Sequence, residues 1–247
     1  MKGLIKAVLL LPAILIATAA WDAKAEAKAG VKAKEASVIL DDLRWLGHDT
    51  FRITGEKVIY TDPFQIEKTG PVADIILITH EHRDHCSPED VKKVSGPGTT
   101  IVTTPDCLAK LEGIASKGIR TVKPGDRITV DGIEVEAVRA YNTNKKFHPR
   151  ENNWVGYVFK AGDLLYYLAG DTDLIPEMKD IKCDVALLPV SGTYVMTAEE
   201  AVEAALDIRP RVAVPMHYGA IVGERSDADR FASALKGKVD VRILDKE

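Results

Sequence analysis

Apolar and polar positions alternate in short runs over most of the chain beyond residue 37, and turn-forming residues separate the runs. This pattern predicts short β-strands joined by tight turns, because side chains on a half-buried strand point alternately to the core and to solvent. Two hairpins are predicted around the dipeptides Asp131-Gly132 and Ala161-Gly162. The strand-like runs are residues 38–48, 50–54, 57–63, 73–79, 99–104, 127–141, 154–160, 163–171, 183–190, 211–219 and 239–244.

Four further segments are predicted as helices. They are residues 88–94, 105–115, 197–208 and 226–235. Thr197 and Glu200 form a capping box, and Pro105 occupies a first helical position. Strand meanders with helices inserted in each half predict an α+β fold, in which two mixed sheets pack together and helices cover both outer faces. This is a four-layer αββα sandwich, and we predict one domain over 38–247.

The N-terminal residues have the composition of a secretory signal peptide. A basic start precedes the apolar run 7–20, and Ala23 and Ala25 supply an A-x-A cleavage pattern. We therefore predict a signal peptide over 1–25, a low-complexity tether over 26–37, and a periplasmic or secreted location. The alternative is an uncleaved N-terminal anchor.

Composition and charge narrow the class of partner. Hydrophobic residues make up 46% of the chain and charged residues 28%, an ordinary globular balance. Removal of residues 1–25 takes away three lysines and one aspartate, so the formal net charge falls from −4 to −6. Such an acidic chain lacks the basic surface that nucleic acids attract. We expect a small-molecule substrate, no nucleic-acid partner and no stable membrane association after signal cleavage.

The stretch ITHEHRDHCS, residues 78–87, concentrates the candidate chemistry. It places four metal-ligand side chains in the pattern H-x-H-x-D-H, and these are His80, His82, Asp84 and His85. Imidazole and carboxylate ligands together suit Zn²⁺, with Fe or Mn as competitors. The apolar run before them predicts a buried strand, so the ligands would lie on the loop that leaves its carboxyl end.

Three more ligand-type residues end apolar runs as His80 does. Asp62 follows IYT, Asp171 follows YYLAG, and His217 follows VAVPM. Each predicted core strand therefore delivers one ligand-capable side chain at its end.

The cluster and the strand-end ligands resemble the metallo-β-lactamase superfamily in type and order. Within it, LGHDTF, TDPF and PMHYG look most like the metal-dependent hydrolase branch, which includes relatives of ascorbate-6-phosphate lactonase and N-acyl-phosphatidylethanolamine phospholipase D. The resemblance implies an αββα sandwich holding one or two metals, zinc foremost and iron or manganese as alternatives. It also implies that a metal-bound hydroxide cleaves an ester, lactone or phosphodiester bond.

The resemblance assigns roles to particular residues. The implied metal ligands are His80, His82, Asp84, His85, Asp171 and His217. The first two would bind one metal, Asp171 would bridge, and the other three would bind the second metal. Asp62 would orient the site from behind its ligands. Asp84 would also orient the hydroxide, and His148 or Tyr141 would stabilise the oxyanion or protonate the leaving group.

One departure from the family pattern concerns the first metal. The superfamily usually supplies another histidine near the end of the strand that here ends at Tyr141-Asn142, and the remaining candidate is His148 on the polar loop 142–153. His148 is either the missing ligand or a residue that contacts substrate or solvent, in which case the first metal is partly water-ligated. Substrate contacts are predicted at His48, Tyr141 and Tyr218.

Two alternative functions remain at this level. Export favours a periplasmic β-lactamase, although many lactamases have Cys or Ser where this chain has Asp171. The missing histidine favours a metal-binding protein of the same fold without turnover.

Overall fold

The computed structural model describes residues 40–68 and 70–247, and its first sheet is built from six strands. They are β1 (Leu43–Gly47), β2 (Thr50–Thr54), β3 (Val58–Thr61), β4 (Ile75–Leu77), β5 (Thr100–Thr103) and β6 (Gly118–Thr121). The strands lie in sequence order, with β1 to β3 antiparallel and β3 to β6 parallel. The all-apolar β4 is fully buried, as expected of a central parallel strand.

The second sheet has seven strands and repeats the same plan. They are β7 (Arg127–Val130), β8 (Ile133–Arg139), β9 (Val155–Ala161), β10 (Leu164–Leu168), β11 (Val185–Pro189), β12 (Val212–Met216) and β13 (Asp240–Val241). An antiparallel meander runs from β7 to β10, and β10 to β13 are parallel. The Tyr157 hydroxyl on β9 donates to the carbonyl of Ile78, just beyond β4, at 2.8 Å and so connects the two sheets.

Helices cover both sheets. The α-helices of the described residues are α1 (Pro88–Val94), α2 (Ala198–Ile208) and α3 (Arg225–Leu235), and 3₁₀ helices cover Pro105–Lys110, Arg150–Asn152 and Pro176–Asp180. Val91 and Val94 of α1 join Ile76 and Ile101 in a buried cluster on the first sheet. Helix α2 packs on β11 and α3 on β12. The predicted α+β architecture of two sheets between helices is confirmed.

Three local predictions were wrong. The helix expected over 105–115 is a 3₁₀ helix that stops at Lys110, because Gly113 follows with a positive φ of 75° and Leu108 stays 43% exposed instead of packing. Strand β6 was not predicted, since most of its side chains are exposed and carry no apolar alternation. The last strand covers two residues rather than 239–244.

The predicted signal peptide and tether, residues 1–25 and 26–37, lie outside the described residues. Over 40–68 and 70–247, no helix has the length and apolar character needed to cross a bilayer.

Candidate metal centre

The ligand-type residues come together because both sheets direct strand ends to one place. His80 follows β4, Asp171 follows β10, and His217 follows β12 directly. Since β4 runs parallel to its neighbours, and β10 to β12 are parallel to one another, each sheet presents its carboxyl ends along one edge. Side chains from the two sheets meet there.

A first ligand group consists of His80, His82, His148 and Asp171. Their ligand atoms all lie within 4.8 Å of one another. His82 Nδ1 lies 3.1 Å from His80 Nε2 and 3.2 Å from His148 Nε2, and Asp171 Oδ2 lies 3.1 Å from His148 Nε2. Three imidazoles and one carboxylate are a donor set that suits zinc.

A second ligand group consists of Asp84, His85, His217 and Asp171. The buried His48 and Asp49 adjoin it, with ligand-type atoms within 4.8 Å of those of His85 and His217. Asp171 Oδ1 lies 3.2 Å from His85 Nε2 and 3.3 Å from His217 Nε2, and Asp84 Oδ2 lies 3.5 Å from His85 Nε2. Within the described part of the chain, the two Nε2 atoms and Asp171 Oδ1 are buried and form no hydrogen bond. Buried polar atoms without partners are costly, so three that converge on one point fit a bound cation.

Asp171 is the residue that the two groups share. Its Oδ1 faces the second group and its Oδ2 faces the first. Burial by itself would raise the pKa of Asp171, but the charges of His217 and His85 hold it well below its usual range. The shared carboxylate is therefore ionised at neutral pH, as a bridging ligand must be.

The shifts in histidine pKa differ between the two ligand groups, and they favour positive charge in the second group. Burial lowers the pKa values of His80 and His82, so both imidazoles are neutral and have a free lone pair. Burial opposes charge on His217 too, yet Asp171 and Asp49 raise its pKa to about 9. The carboxylates around the second group therefore favour positive charge there, which a bound cation would supply.

Three of the imidazoles are oriented by a contact to the ring nitrogen that faces away from the ligand groups. His85 Nδ1 lies 2.8 Å from Asp62 Oδ2, and His217 Nδ1 lies 3.0 Å from Ser191 Oγ. Thr79 Oγ1 lies 2.9 Å from His80 Nδ1 and donates to Asp62 Oδ2 at 2.8 Å. Such contacts leave the opposite nitrogens directed at the centre.

Backbone strain is concentrated at the same place. His48, Asp62, Tyr194 and His217 have positive φ angles of 52°, 34°, 70° and 60°. This conformation is uncommon for residues other than glycine and costs about 1–3 kcal/mol each when the surroundings impose it. The fold therefore maintains an unfavourable backbone at four residues that belong to the ligand groups or contact them.

The three residues predicted to contact the substrate have different surroundings. His48 is buried, with Nε2 3.1 Å from Asp84 Oδ2, and burial lowers its pKa to about 4. Tyr218 is stacked on Trp45 with ring centroids 4.8 Å apart. The Tyr141 hydroxyl instead donates to Glu177 at 3.1 Å, so it is engaged away from both ligand groups.

Several residues at the centre were missed by the sequence analysis. They are Asp49, Thr79, Asn142, Asp173 and Ser191. Thr79 directly precedes His80, and Asp173 follows Asp171 by two residues, so adjacency to ligands was an available signal. Asp49 is fully buried with Oδ2 3.5 Å from His85 Nδ1, and burial raises its pKa well above the usual range.

Comparison with known proteins places this centre in a family. Residues 42–217 match the family model described as "Beta-lactamase superfamily domain". A UPF0173 metal-dependent hydrolase from Thermoplasma acidophilum is 34% identical over 215 residues, which is 81% of this chain and 92% of that protein.

Two solved structures of metal-dependent hydrolases are also similar to this chain. A Parabacteroides distasonis protein, provisionally named a metal-dependent hydrolase, superposes with a TM-score of 0.73 and 36% identity, over 83% of this chain and 93% of that one. Igni18, a metallo hydrolase from Ignicoccus hospitalis, gives a TM-score of 0.65 and 25% identity over 83% and 94% of the two chains.

Proposed function

Because the chain belongs to the beta-lactamase superfamily, among its UPF0173 metal-dependent hydrolases, we propose that it is a two-metal hydrolase of a small-molecule ester, lactone or phosphodiester. The observation that carries the proposal is the position of Asp171. Its two oxygens face two separate sets of imidazole nitrogens, an arrangement suited to bridging a metal pair.

The first ligand group would hold one metal through His80, His82 and His148. The second would hold the other through Asp84, His85 and His217, with Asp171 common to both. We propose zinc, with iron or manganese as the competing ions, because imidazole and carboxylate ligands suit all three. When bound, the metals would lower the pKa of a water toward 7 and polarise the oxygen of the scissile bond.

Asp84 is the residue best placed to orient the attacking water. Burial works against its ionisation, but the charge of His85 and a hydrogen bond from His48 hold its pKa well below the usual range. The ionised Asp84 carboxylate only accepts hydrogen bonds, so His48, whose pKa burial lowers to about 4, donates its Nε2–H to Asp84 Oδ2. One Asp84 oxygen is thus held in place, while the side chain stays partly exposed to a substrate.

His148 bears on the alternative of a fold without turnover. That alternative depended on a missing third histidine, and His148 Nε2 lies among the atoms of the first ligand group. We therefore favour His148 as the ligand rather than as the acid for the leaving group.

The test combines metal analysis with a substrate panel of esters, lactones, phosphodiesters and nitrocefin. We expect about two metals per chain and turnover of at least one non-lactam class. In His82→Ala the loss of turnover should exceed about 100-fold, the upper end for the loss of a mere outer partner. Arg83→Ala, on an exposed neighbour in the same loop, is the matched control.

Three outcomes would contradict the proposal. Wild-type turnover by a metal-analysed Asp171→Asn protein would remove the bridging role. Hydrolysis of nitrocefin alone would favour the lactamase alternative, and bound metal without turnover of any substrate would favour the binding protein.

A further inference from the structure

The third histidine of the first ligand group comes from a loop, whereas His80 and Asp171 stand at strand ends. His148 lies nine residues beyond the end of β8 at Arg139. A loop residue needs contacts of its own to hold a ligand nitrogen in place. The contacts around His148 are therefore informative.

Asn142 contacts His148 through both backbone and side chain. Its backbone N–H donates to the carbonyl of His148 at 2.7 Å. Its Oδ1 accepts the backbone N–H of His148 at 3.0 Å and lies 3.1 Å from His148 Nδ1. Both residues are buried, at 8% and 1% exposure, so water competes little with these contacts.

Asp173 organises the same loop from the opposite side. It is 1% exposed and accepts hydrogen bonds from Asn142 Nδ2 at 3.1 Å and from the Thr143 backbone at 2.7 Å. Lys145 Nζ lies 2.5 Å from Asp173 Oδ1 and balances its charge. The Asp173 carboxylate is thus the common hydrogen-bond acceptor for the first residues of the loop.

The orientation of the Asn142 amide follows from these contacts. Its Nδ2 faces Asp173 Oδ1 and, at 2.7 Å, the carbonyl of Tyr194. An ionised carboxylate and a carbonyl only accept hydrogen bonds, so the NH₂ group must point to them and Oδ1 must point to His148. His148 Nδ1 lies between that oxygen and the Tyr194 carbonyl, 3.2 Å away, so it must carry the proton. Its Nε2, on the other side of the ring, is the nitrogen that faces Asp171 and His82 in the first ligand group.

We propose that Asn142 and Asp173 are positioning residues that hold His148, with Nδ1 protonated, as a ligand of the first metal. This inference rests on the proposed function for the identity of the ligand groups. Asn142 lies just beyond the end of β8, and Asp173 lies in another loop. Together their contacts hold His148 as firmly as a strand would hold a histidine of its own.

The test is calorimetric titration of metal-free protein with Zn²⁺, on wild type, Asn142→Ala and Asp173→Asn. Wild type should bind two ions. In both variants one site should weaken about 10- to 100-fold, the usual effect of losing a ligand's outer partner, while the other keeps its affinity. Lys146→Ala changes an exposed side chain on the same loop and should titrate like wild type.

Several outcomes would overturn the inference. Two wild-type affinities in both variants would do so, and so would equal weakening of both sites, because that indicates a general loss of structure. Should neither variant fold, ¹⁵N NMR of zinc-loaded wild type decides instead, and a His148 proton on Nε2 would refute it. Two zinc sites without any hydrolysis would contradict the proposed function and leave this inference intact.

Discussion

The Thr79 hydroxyl contacts residues of both ligand groups on the side away from the metal-binding nitrogens: His80 directly, and His85 through Asp62. It donates to Asp62 Oδ2 at 2.8 Å and lies 2.9 Å from His80 Nδ1, and the residue is fully buried. A hydroxyl has one proton, so when it donates to the carboxylate it must accept from His80 Nδ1–H. This contact leaves His80 Nε2 free for a metal.

Thr79→Val replaces the hydroxyl by a methyl group of the same shape. The change removes one hydrogen bond to a carboxylate, worth about 1.5–3 kcal/mol, and one to an imidazole, worth about 1 kcal/mol. The backbone N–H of Thr79 still donates to Asp62 Oδ1 at 2.8 Å. We expect the unfolding free energy of the metal-free protein to fall by about 2–4 kcal/mol, and the first site to bind Zn²⁺ about 10- to 100-fold more weakly.

Urea unfolding and zinc calorimetry measure the two effects separately. Thr79→Ser is the matched control, because it keeps the hydroxyl and loses only the methyl, at a cost of about 1 kcal/mol. Its zinc affinity should equal that of wild type. The reasoning fails if the valine variant binds zinc as tightly as wild type, or if the serine variant weakens binding as much as valine does.

Two further predictions concern stability. Asp90 accepts the backbone N–H groups of Gln65 and Ile66 at 2.9 and 3.0 Å. Burial opposes its charge, but hydrogen bonds from Lys93, Ser87 and these backbone groups lower its pKa below the usual range. A carboxyl whose pKa is lower in the folded than in the unfolded protein stabilises the fold at any pH above its unfolded-state pKa. This stabilisation is lost as the pH falls through its folded-state pKa. Asp90→Asn should therefore cost about 1–3 kcal/mol in urea unfolding at pH 7 and progressively less below about pH 4, and a pH-independent difference would contradict this. Gly156→Ala should lower the melting temperature by several degrees, because its Cβ would lie 2.6 Å from the carbonyl oxygen of Leu168 on β10 and overpacking costs about 1–3 kcal/mol. Gly118→Ala, with nothing within 4 Å of the added carbon, should melt close to wild type, and equal losses would exclude steric overlap as the cause.

Local patterns were sufficient for most of the framework. The apolar runs before His80, Asp171 and His217 predicted buried strands with a ligand-type residue at each end, and β4, β10 and β12 end just before them. Periodicity reports what a strand buries, and this does not depend on the rest of the fold. The 3₁₀ helix at Pro105–Lys110 was mistaken for an α-helix because its apolar residues are spaced as in an amphipathic helix, although Leu108 is 43% exposed.

Local apolar patterns do not indicate which way the side chains of a loop point. Tyr141 was predicted as a substrate contact, and its hydroxyl donates a hydrogen bond to Glu177, thirty-six residues away, which no local pattern indicated. His148 could not be assigned from its position in a polar loop, because Asp173 and Tyr194, both later in the chain, determine how that loop folds.

The sequence by itself therefore determined which residues carry metal-binding atoms and which strands deliver them, since short-range spacing and strand periodicity encode both. Only the tertiary structure decided that His148 joins His80, His82 and Asp171. That outcome depends on two sheets, formed by distant segments, that place the carboxyl ends of their strands on the same side of the sandwich, and on the Asn142 and Asp173 contacts that hold the loop carrying His148.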